Sequence, residues 1–359
     1  MERLTSQLEK YVADKEIAGA SLLVRKNGEK VFETYSGYAN LETQEPVTES
    51  SIFRLASMTK PIAAIAAMIL KERGRLCLGD SIAKYLPDYE DKRGVTVLDL
   101  LNHSSGLGHG PSSQEYVEKC FDPTDKLAER VHKWAGMPRD FEPGTGTGYS
   151  GIVGFDILGR IIEVASGSDL QTFFRENIFE PLGLRDTTYS LTSAQAERVV
   201  RLYEADNGEL RDVTESESMW PTVNAMLNGY YSAGAGLLGT LSDYDKIVQL
   251  LAGEGRYQDL RLLREETVHR MCTESSNHKK EFFPGSVWGL GMVVYRAPEL
   301  MGLPFSSGAF GWSGAYGTHF FIDVRKNIQA ILMVNRSNIG GAGSYVSRQI
   351  EKLIYEIYG

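Results

Sequence analysis

Residues 52–73 read IFRLASMTKPIAAIAAMILKER: a short apolar lead-in, then Ser57, then a run rich in small and apolar residues. Positions three apart on a helix share a face, with Cβ atoms about 5–6 Å from each other, so the Lys60 amine can reach the Ser57 hydroxyl. Pro61 suits a first helical turn, where N–H groups have no intrahelical partner, so the spacing predicts a helix beginning close to Ser57. That start places the hydroxyl at the positive end of the helix dipole, where free N–H groups can stabilise an oxyanion. A serine becomes a nucleophile only when a base takes its proton, and a lysine is such a base where its surroundings disfavour the ammonium.

Ser-x-x-Lys alone is a weak pattern, and it recurs as SIAK at 81–84 and SNHK at 276–279. Ser81 precedes a short amphipathic run closed by Pro87 and reads as a first-turn or N-cap residue. Ser276 lies in the polar stretch TESSNHKKE and reads as exposed loop. Only Ser57 heads a helix apolar enough to be buried, through Ile62, Ile65, Ala66, Ile69 and Leu70. On spacing alone, a buried capping serine accounts for Ser57 as well as a nucleophile does.

The chain has 359 residues, 42% of them hydrophobic, enough for one large domain or two intimately packed ones. A formal net charge of -9 and the lack of any Lys/Arg run argue against a nucleic-acid partner. No apolar run approaches the roughly 18 residues of a membrane span. Residues 1–16 are charged throughout, with Leu4, Leu8, Tyr11 and Val12 at helical spacing, which reads as a surface helix rather than a secretory signal. A cytoplasmic location is expected. Cys77, Cys120 and Cys272 are odd in number and widely separated, fitting neither a disulfide framework nor a metal site, so buried free thiols are expected.

In chain order, residues 20–35 read as a hairpin turning at Asn27-Gly28, with Val31, Phe32 and Tyr35 on the return strand. From Leu76 to about Gly253 the pattern is mainly helical: a short helix in 95–107 stopped by Ser-Ser-Gly, an amphipathic helix over 151–165 with Gly167 past its end, and a helix at Asp243 and Asp245 capped by Ser242. Strands return at 287–295, 317–324 and 328–335, and Ser344 opens a last helix. The expected fold class is α+β, an antiparallel sheet flanked by the terminal helices plus an inserted, mainly helical domain. The expected boundaries are 1–74 with 284–359 for the sheet domain and 75–283 for the helical one, with an active site at their junction.

Two further stretches carry candidate chemistry. Residues 143–151, PGTGTGYSG, end a loop at Tyr149 just before an apolar helix. A tyrosine there packs its ring or, if it faces Ser57 and Lys60, passes a proton between nucleophile and leaving group. Residues 308–323, GAFGWSGAYGTHFFID, form a Gly-rich turn leading into a strand, where the Ala315 N–H could join that of Ser57 as a second oxyanion donor. The plainer reading is an ordinary loop entering an edge strand.

Ser57-Met58-Thr59-Lys60, Tyr149-Ser150-Gly151 and Trp312-Ser313-Gly314 stand in the order and approximate spacing of the three motifs of the serine β-lactamase and penicillin-binding family. The chain most resembles the class C β-lactamase-like serine hydrolases, esterase branch; LLNHSSGL (100–107) and SAGAGLLGTLSDYDKIVQLL (232–251) also look like family signatures. The resemblance implies Ser57 as acylated nucleophile, Lys60 as base, Tyr149 as acid/base partner, and the Ser57 and Ala315 amides as the oxyanion hole. It implies substrate contacts at Trp312, Ser313, Gly314 and Gly151, and neither metal nor cofactor. Trp312 replaces the Lys usual in β-lactamases and peptidases, and Gly151 replaces an Asn that would bind an acylamino side chain. Both departures resemble the esterase branch.

Other constellations fail. There is no G-x-S-x-G elbow, and GAGLLG at 234–239 fits a dinucleotide fingerprint but follows no strand. His103 reads as a hydrogen-bonded packing residue. The expected function is hydrolysis of small-molecule carboxylic esters through a Ser57 acyl-enzyme. The alternatives are a β-lactamase or D-amino-acid peptidase acting on amides, an acyltransferase, or a penicillin-binding-like module without turnover.

Overall fold

The computed structural model describes residues 2–215, 229–273 and 281–359. The two ends of the chain build one antiparallel sheet. β1 (Gly19–Lys26), β2 (Glu29–Asn40) and β3 (Glu45–Pro46) form one side, and β4 (Ser286–Trp288), β5 (Val293–Tyr295), β6 (Ala309–Ser313), β7 (His319–Asp323) and β8 (Ile328–Val334) the other. The eight strands run β4-β5-β6-β7-β8-β1-β2-β3. β1 is the seam, with Ala20 opposite Val334 of β8 and Ser36 of β2. The β1–β2 turn has Asn27 at φ 53° and Gly28 at φ 81°. Positive φ at both central residues matches the twist of a tight hairpin, and Asn-Gly is the pair that adopts it at least cost.

The structure corrects two strand expectations. Residues 287–295 are a hairpin rather than one strand, because Gly289 donates to the Met292 carbonyl at 2.9 Å and Gly291 takes φ 75°. Gly291 sits where a Cβ would lie 3.0 Å from the Lys60 carbonyl oxygen, so the reversal packs directly beneath the Ser57 segment. Within the Gly-rich stretch a turn at 314–318 does lead into a strand, β7, but that strand is interior rather than an edge, and residues 309–313 before the turn already form β6 between β5 and β7. Gly311 of β6 packs so closely that a Cβ would stand 2.2 Å from the Phe320 carbonyl oxygen.

Helices cover both faces. Adjacent residues of a strand point to opposite faces. Phe321 meets Tyr355 of the last helix at 5.9 Å between ring centroids, while Phe320 meets Tyr244 at 5.4 Å. α1 (Glu2–Ala13) and α5 (Tyr345–Tyr358) thus lie on one side, and α4 (Leu241–Ala252) on the other. Ser344 caps α5 by accepting from the Ser347 N–H. α4 is capped by Thr240, not Ser242: the Thr240 hydroxyl accepts from the Asp243 N–H at 3.2 Å.

α2 (Thr59–Glu72) is buried on every side from Thr59 to Leu70. A helix sheathed on all faces leaves little room for bulk, which accounts for Ala63, Ala64, Ala66 and Ala67; α3 (Val153–Ser166) packs across it, and Ala64 lies against Gly291 of the β4–β5 hairpin. α3 ends at Gly167 in the left-handed conformation. Ser81 caps the short turn Ile82–Lys84, whereas Ser276 and Lys279 lie outside the described residues. Cys77 is exposed, contrary to the expected burial, because it sits in the surface turn that Asp80 closes by accepting its N–H at 3.0 Å. Among the described residues, no helix is long and apolar enough to cross a membrane.

Candidate active site

Ser57 occupies the tight turn Ala56–Met58 that leads directly into α2, so the α-helix starts two residues later, at Thr59. Ala56 has φ 45°, a left-handed conformation that costs a residue with a side chain about 1–2 kcal/mol. The turn is held from both sides. The Leu55 N–H donates to the Leu237 carbonyl at 2.9 Å, the Leu55 carbonyl accepts from the Thr318 hydroxyl at 3.1 Å, and the Tyr244 hydroxyl donates to the Met58 carbonyl at 3.0 Å. A left-handed residue held in place by its surroundings, as Ala56 is, is a mark of functional turns.

Lys60 is fully buried one turn further on. Its Nζ lies 3.1 Å from Ser57 Oγ, 2.6 Å from the Gly151 carbonyl oxygen and 2.8 Å from the Gly234 carbonyl oxygen. The two carbonyls take two N–H bonds. The third direction points at Ser57, as a donor if the amine is protonated and as a lone pair if it is not. The Tyr149 hydroxyl lies 2.7 Å from the same Ser57 Oγ. Two segments distant in sequence, 57–60 and the loop at Tyr149, thus bring an alcohol, an amine and a phenol together.

Aromatic packing fixes Tyr149. Its ring lies parallel to Trp288 at 5.8 Å and contacts Trp312 at 5.1 Å, Phe282 at 5.8 Å and His103 at 4.9 Å. His103 Nδ1 accepts from the Ser150 N–H at 3.3 Å, and the Ser150 hydroxyl accepts from the Gly154 N–H at the start of α3. Burial, then the Lys60 charge and His109, hold the His103 imidazole well below the usual histidine range, so the ring that supports Tyr149 is neutral.

Of the residues expected at the site, Trp312 faces Tyr149, and Gly151 contributes the carbonyl that holds Lys60. Gly314 is needed as glycine: a Cβ would stand 2.1 Å from Thr318 Oγ1 and 2.4 Å from the Leu55 carbonyl oxygen. That close approach seats the turn after β6 against the residues preceding Ser57, and exposed Ala315 follows on the same turn. The Ser313 hydroxyl is a correction. Strand alternation turns it away from Trp312, and it bonds the His319 ring at 2.7 Å beneath α5.

The sequence reading missed two contributors. Gly234 supplies a carbonyl to Lys60, and buried Asp156 fixes Gly234 by accepting its N–H at 3.0 Å together with the hydroxyls of Ser232 and Tyr230. Burial raises the Asp156 carboxyl above its ordinary range, against those three donors. The only signal in the sequence was an acid beside Phe155 and Ile157 in an apolar helix.

A serine alcohol in contact with both a buried amine and a phenol has the make-up of a serine hydrolase site. The family model for Beta-lactamase matches residues 4–352, and the chain belongs to that family of serine hydrolases. It is 28% identical to Esterase EstB of Burkholderia gladioli, over 95% of this chain and 92% of that protein. It is 27% identical to a putative D-alanyl-D-alanine carboxypeptidase of Escherichia coli K12, over 94% of this chain and 83% of that protein. Among solved structures, EstCE1, a hydrolase with promiscuous acyltransferase activity, superposes with a TM-score of 0.86 at 24% identity over 99% and 98% of the two chains. The fold is that of the β-lactamases and transpeptidases.

Proposed function

We propose that the protein hydrolyses carboxylic esters of small molecules through an acyl-enzyme on Ser57. The Ser57 proton passes to the Lys60–Tyr149 pair as Oγ bonds to the ester carbonyl carbon. The Ser57 and Ala315 amides face the developing oxyanion. Collapse breaks the carbon–oxygen bond to the alcohol, which leaves with the proton carried by Tyr149. Water then gives its proton to the same pair, attacks the acyl carbon and releases the acid, returning the proton to Oγ.

The observation that carries this reading is Ser57 Oγ held 2.7 Å from the Tyr149 hydroxyl and 3.1 Å from the Lys60 amine. The choice of ester over β-lactam or peptide rests on Trp312, an apolar wall where a cation would hold a substrate carboxylate, and on Gly151, which offers no amide side chain. The likeness to Esterase EstB is in keeping with it. The test is turnover of p-nitrophenyl butyrate, nitrocefin and a D-Ala-D-Ala peptide by wild type and Ser57→Ala. Ester turnover lost in the variant is expected. Nitrocefin cleaved with comparable kcat/KM would replace this reading with a β-lactamase, and a stable adduct that is never released would replace it with a binding module.

A further inference from the structure

Beside the catalytic groups, the helical region holds a cavity of about 230 Å³. Its wall begins at Gly151, whose carbonyl holds the Lys60 amine, and continues over Ile152 and Val153 to Val117, Phe121 and Trp134. Arg130 lines the same cavity and is only 5% exposed. Its guanidinium is sandwiched between two rings, with Cζ 3.8 Å from the Tyr230 centroid and 5.0 Å from that of Phe121. Among the described residues its hydrogen bonds are two long ones to backbone carbonyls, Nε to Asp125 at 3.3 Å and Nη2 to Asp122 at 3.5 Å.

Among the described residues, no carboxylate forms an ion pair with Arg130. The Asp125 carboxylate is paired with Lys133 at 2.6 Å, the Asp122 carboxylate accepts from the Thr124 hydroxyl at 2.7 Å, and Asp156 is engaged by Tyr230, Ser232 and Gly234. Glu118 borders the cavity with an exposed side chain. The Arg130 charge is felt at a distance by Asp156 and Asp122, but among the described residues both carboxylates spend their hydrogen bonds on other donors, and ring faces orient a guanidinium without neutralising it. A planar fork of N–H donors at the end of an apolar cavity is complementary to a carboxylate on an apolar chain.

We propose that this cavity is a subsite for an aliphatic acyl chain ending in a carboxylate, with the carboxylate against Arg130 and the ester group toward Gly151. The substrates would be monoesters of aliphatic dicarboxylic acids. This inference rests on the esterase reading, and its test separates the two by measuring binding without turnover.

Isothermal titration of hexanoate and of hexanamide into wild type, Ser57→Ala, Arg130→Gln and Val117→Trp reads the subsite directly. Hexanoate should bind wild type and Ser57→Ala alike and about tenfold or more tighter than hexanamide, the margin of a charge-assisted pair. Arg130→Gln should erase that preference, and Val117→Trp, which fills the cavity from a half-buried helix position, should weaken hexanoate while leaving Arg130 in place. In turnover, wild type should prefer mono-p-nitrophenyl adipate to p-nitrophenyl hexanoate, and Arg130→Gln should reverse the order. Equal affinity for hexanoate and hexanamide, unchanged hexanoate binding in Val117→Trp, or a wild type that prefers the neutral ester would each overturn the proposal. Should Arg130→Gln not fold, the acid-against-amide comparison and Val117→Trp decide it. Failure of both esters to turn over would instead count against the esterase reading.

Discussion

Lys60 has no carboxylate partner among the described residues; its contacts are a hydroxyl and two carbonyls. In the proposed relay the third direction of the amine exchanges a proton with Ser57, and the Tyr149 hydroxyl serves that exchange from its own contact with Oγ. Tyr149→Phe keeps the ring packing and removes the proton carrier, so kcat on p-nitrophenyl butyrate should fall by roughly 10²–10⁴ with little change in KM. Activity equal to wild type would remove the phenol from the relay. His103 gives a stability signature. Its folded pKa is depressed, so below the ordinary value of about 6.5 the unfolded chain binds a proton that the folded one refuses. Stability contributed by the neutral ring is therefore present above that pH and lost as pH falls through it. His103→Asn, which tolerates the φ of 57° found there, should show a smaller drop in Tm between about pH 7.5 and pH 5 than wild type. An unchanged drop would mean that other groups dominate.

At the scale of elements, the tight contact between α3 and the Ser232–Gly234 turn sets the Lys60 site. Gly159 lies mid-helix, where glycine costs about 1 kcal/mol relative to alanine. A Cβ there would stand 2.8 Å from the Ala233 Cβ, next to the Gly234 carbonyl that Lys60 uses. Gly159→Ala should thus lower the urea midpoint despite its better helix propensity, and lower kcat as well; a raised midpoint would show that the turn yields freely. Such contacts explain what the sequence did and did not disclose. Ser57, Lys60 and Tyr149 were legible because it is their side chains that meet, from a helix start and a loop end. Gly234 acts through a carbonyl, which every residue has, so its identity carries no signal. The 287–295 hairpin was hidden because apolar residues continue across Gly289 and Gly291. Ser313 was placed at the site by the motif resemblance, which runs through three consecutive residues, whereas the alternation of β6 turns its side chain away from that of Trp312.

For the whole molecule, the two chain ends meet at β1, so the Trp312–Gly314 segment reaches Ser57 only when residues more than two hundred positions apart have paired. A chain of close contacts, buried up to a part-exposed Arg348, ties that sheet to α5: Ser313 Oγ to His319 Nδ1 at 2.7 Å, His319 Nε2 to Glu351 Oε1 at 2.9 Å, and Arg348 to Glu351 Oε2 at 3.2 Å. Removing the shared carboxylate leaves the buried His319 ring without its polar neighbour on α5. Glu351→Ala should cost roughly 1–3 kcal/mol in urea denaturation, the usual scale for removing one partner of a buried polar contact. A loss under about 1 kcal/mol would assign the anchoring of α5 to its apolar face alone.

The central claim is that one hydroxyl carries the acyl group. Acid-quenched p-nitrophenyl butyrate reactions, analysed by intact mass and peptide mapping, test it most directly. A single butyryl group is expected on the peptide containing Ser57, absent in Ser57→Ala and accumulating in Tyr149→Phe if deacylation is slowed more than acylation. An acyl group mapped to another side chain, or turnover retained by Ser57→Ala, would contradict the account.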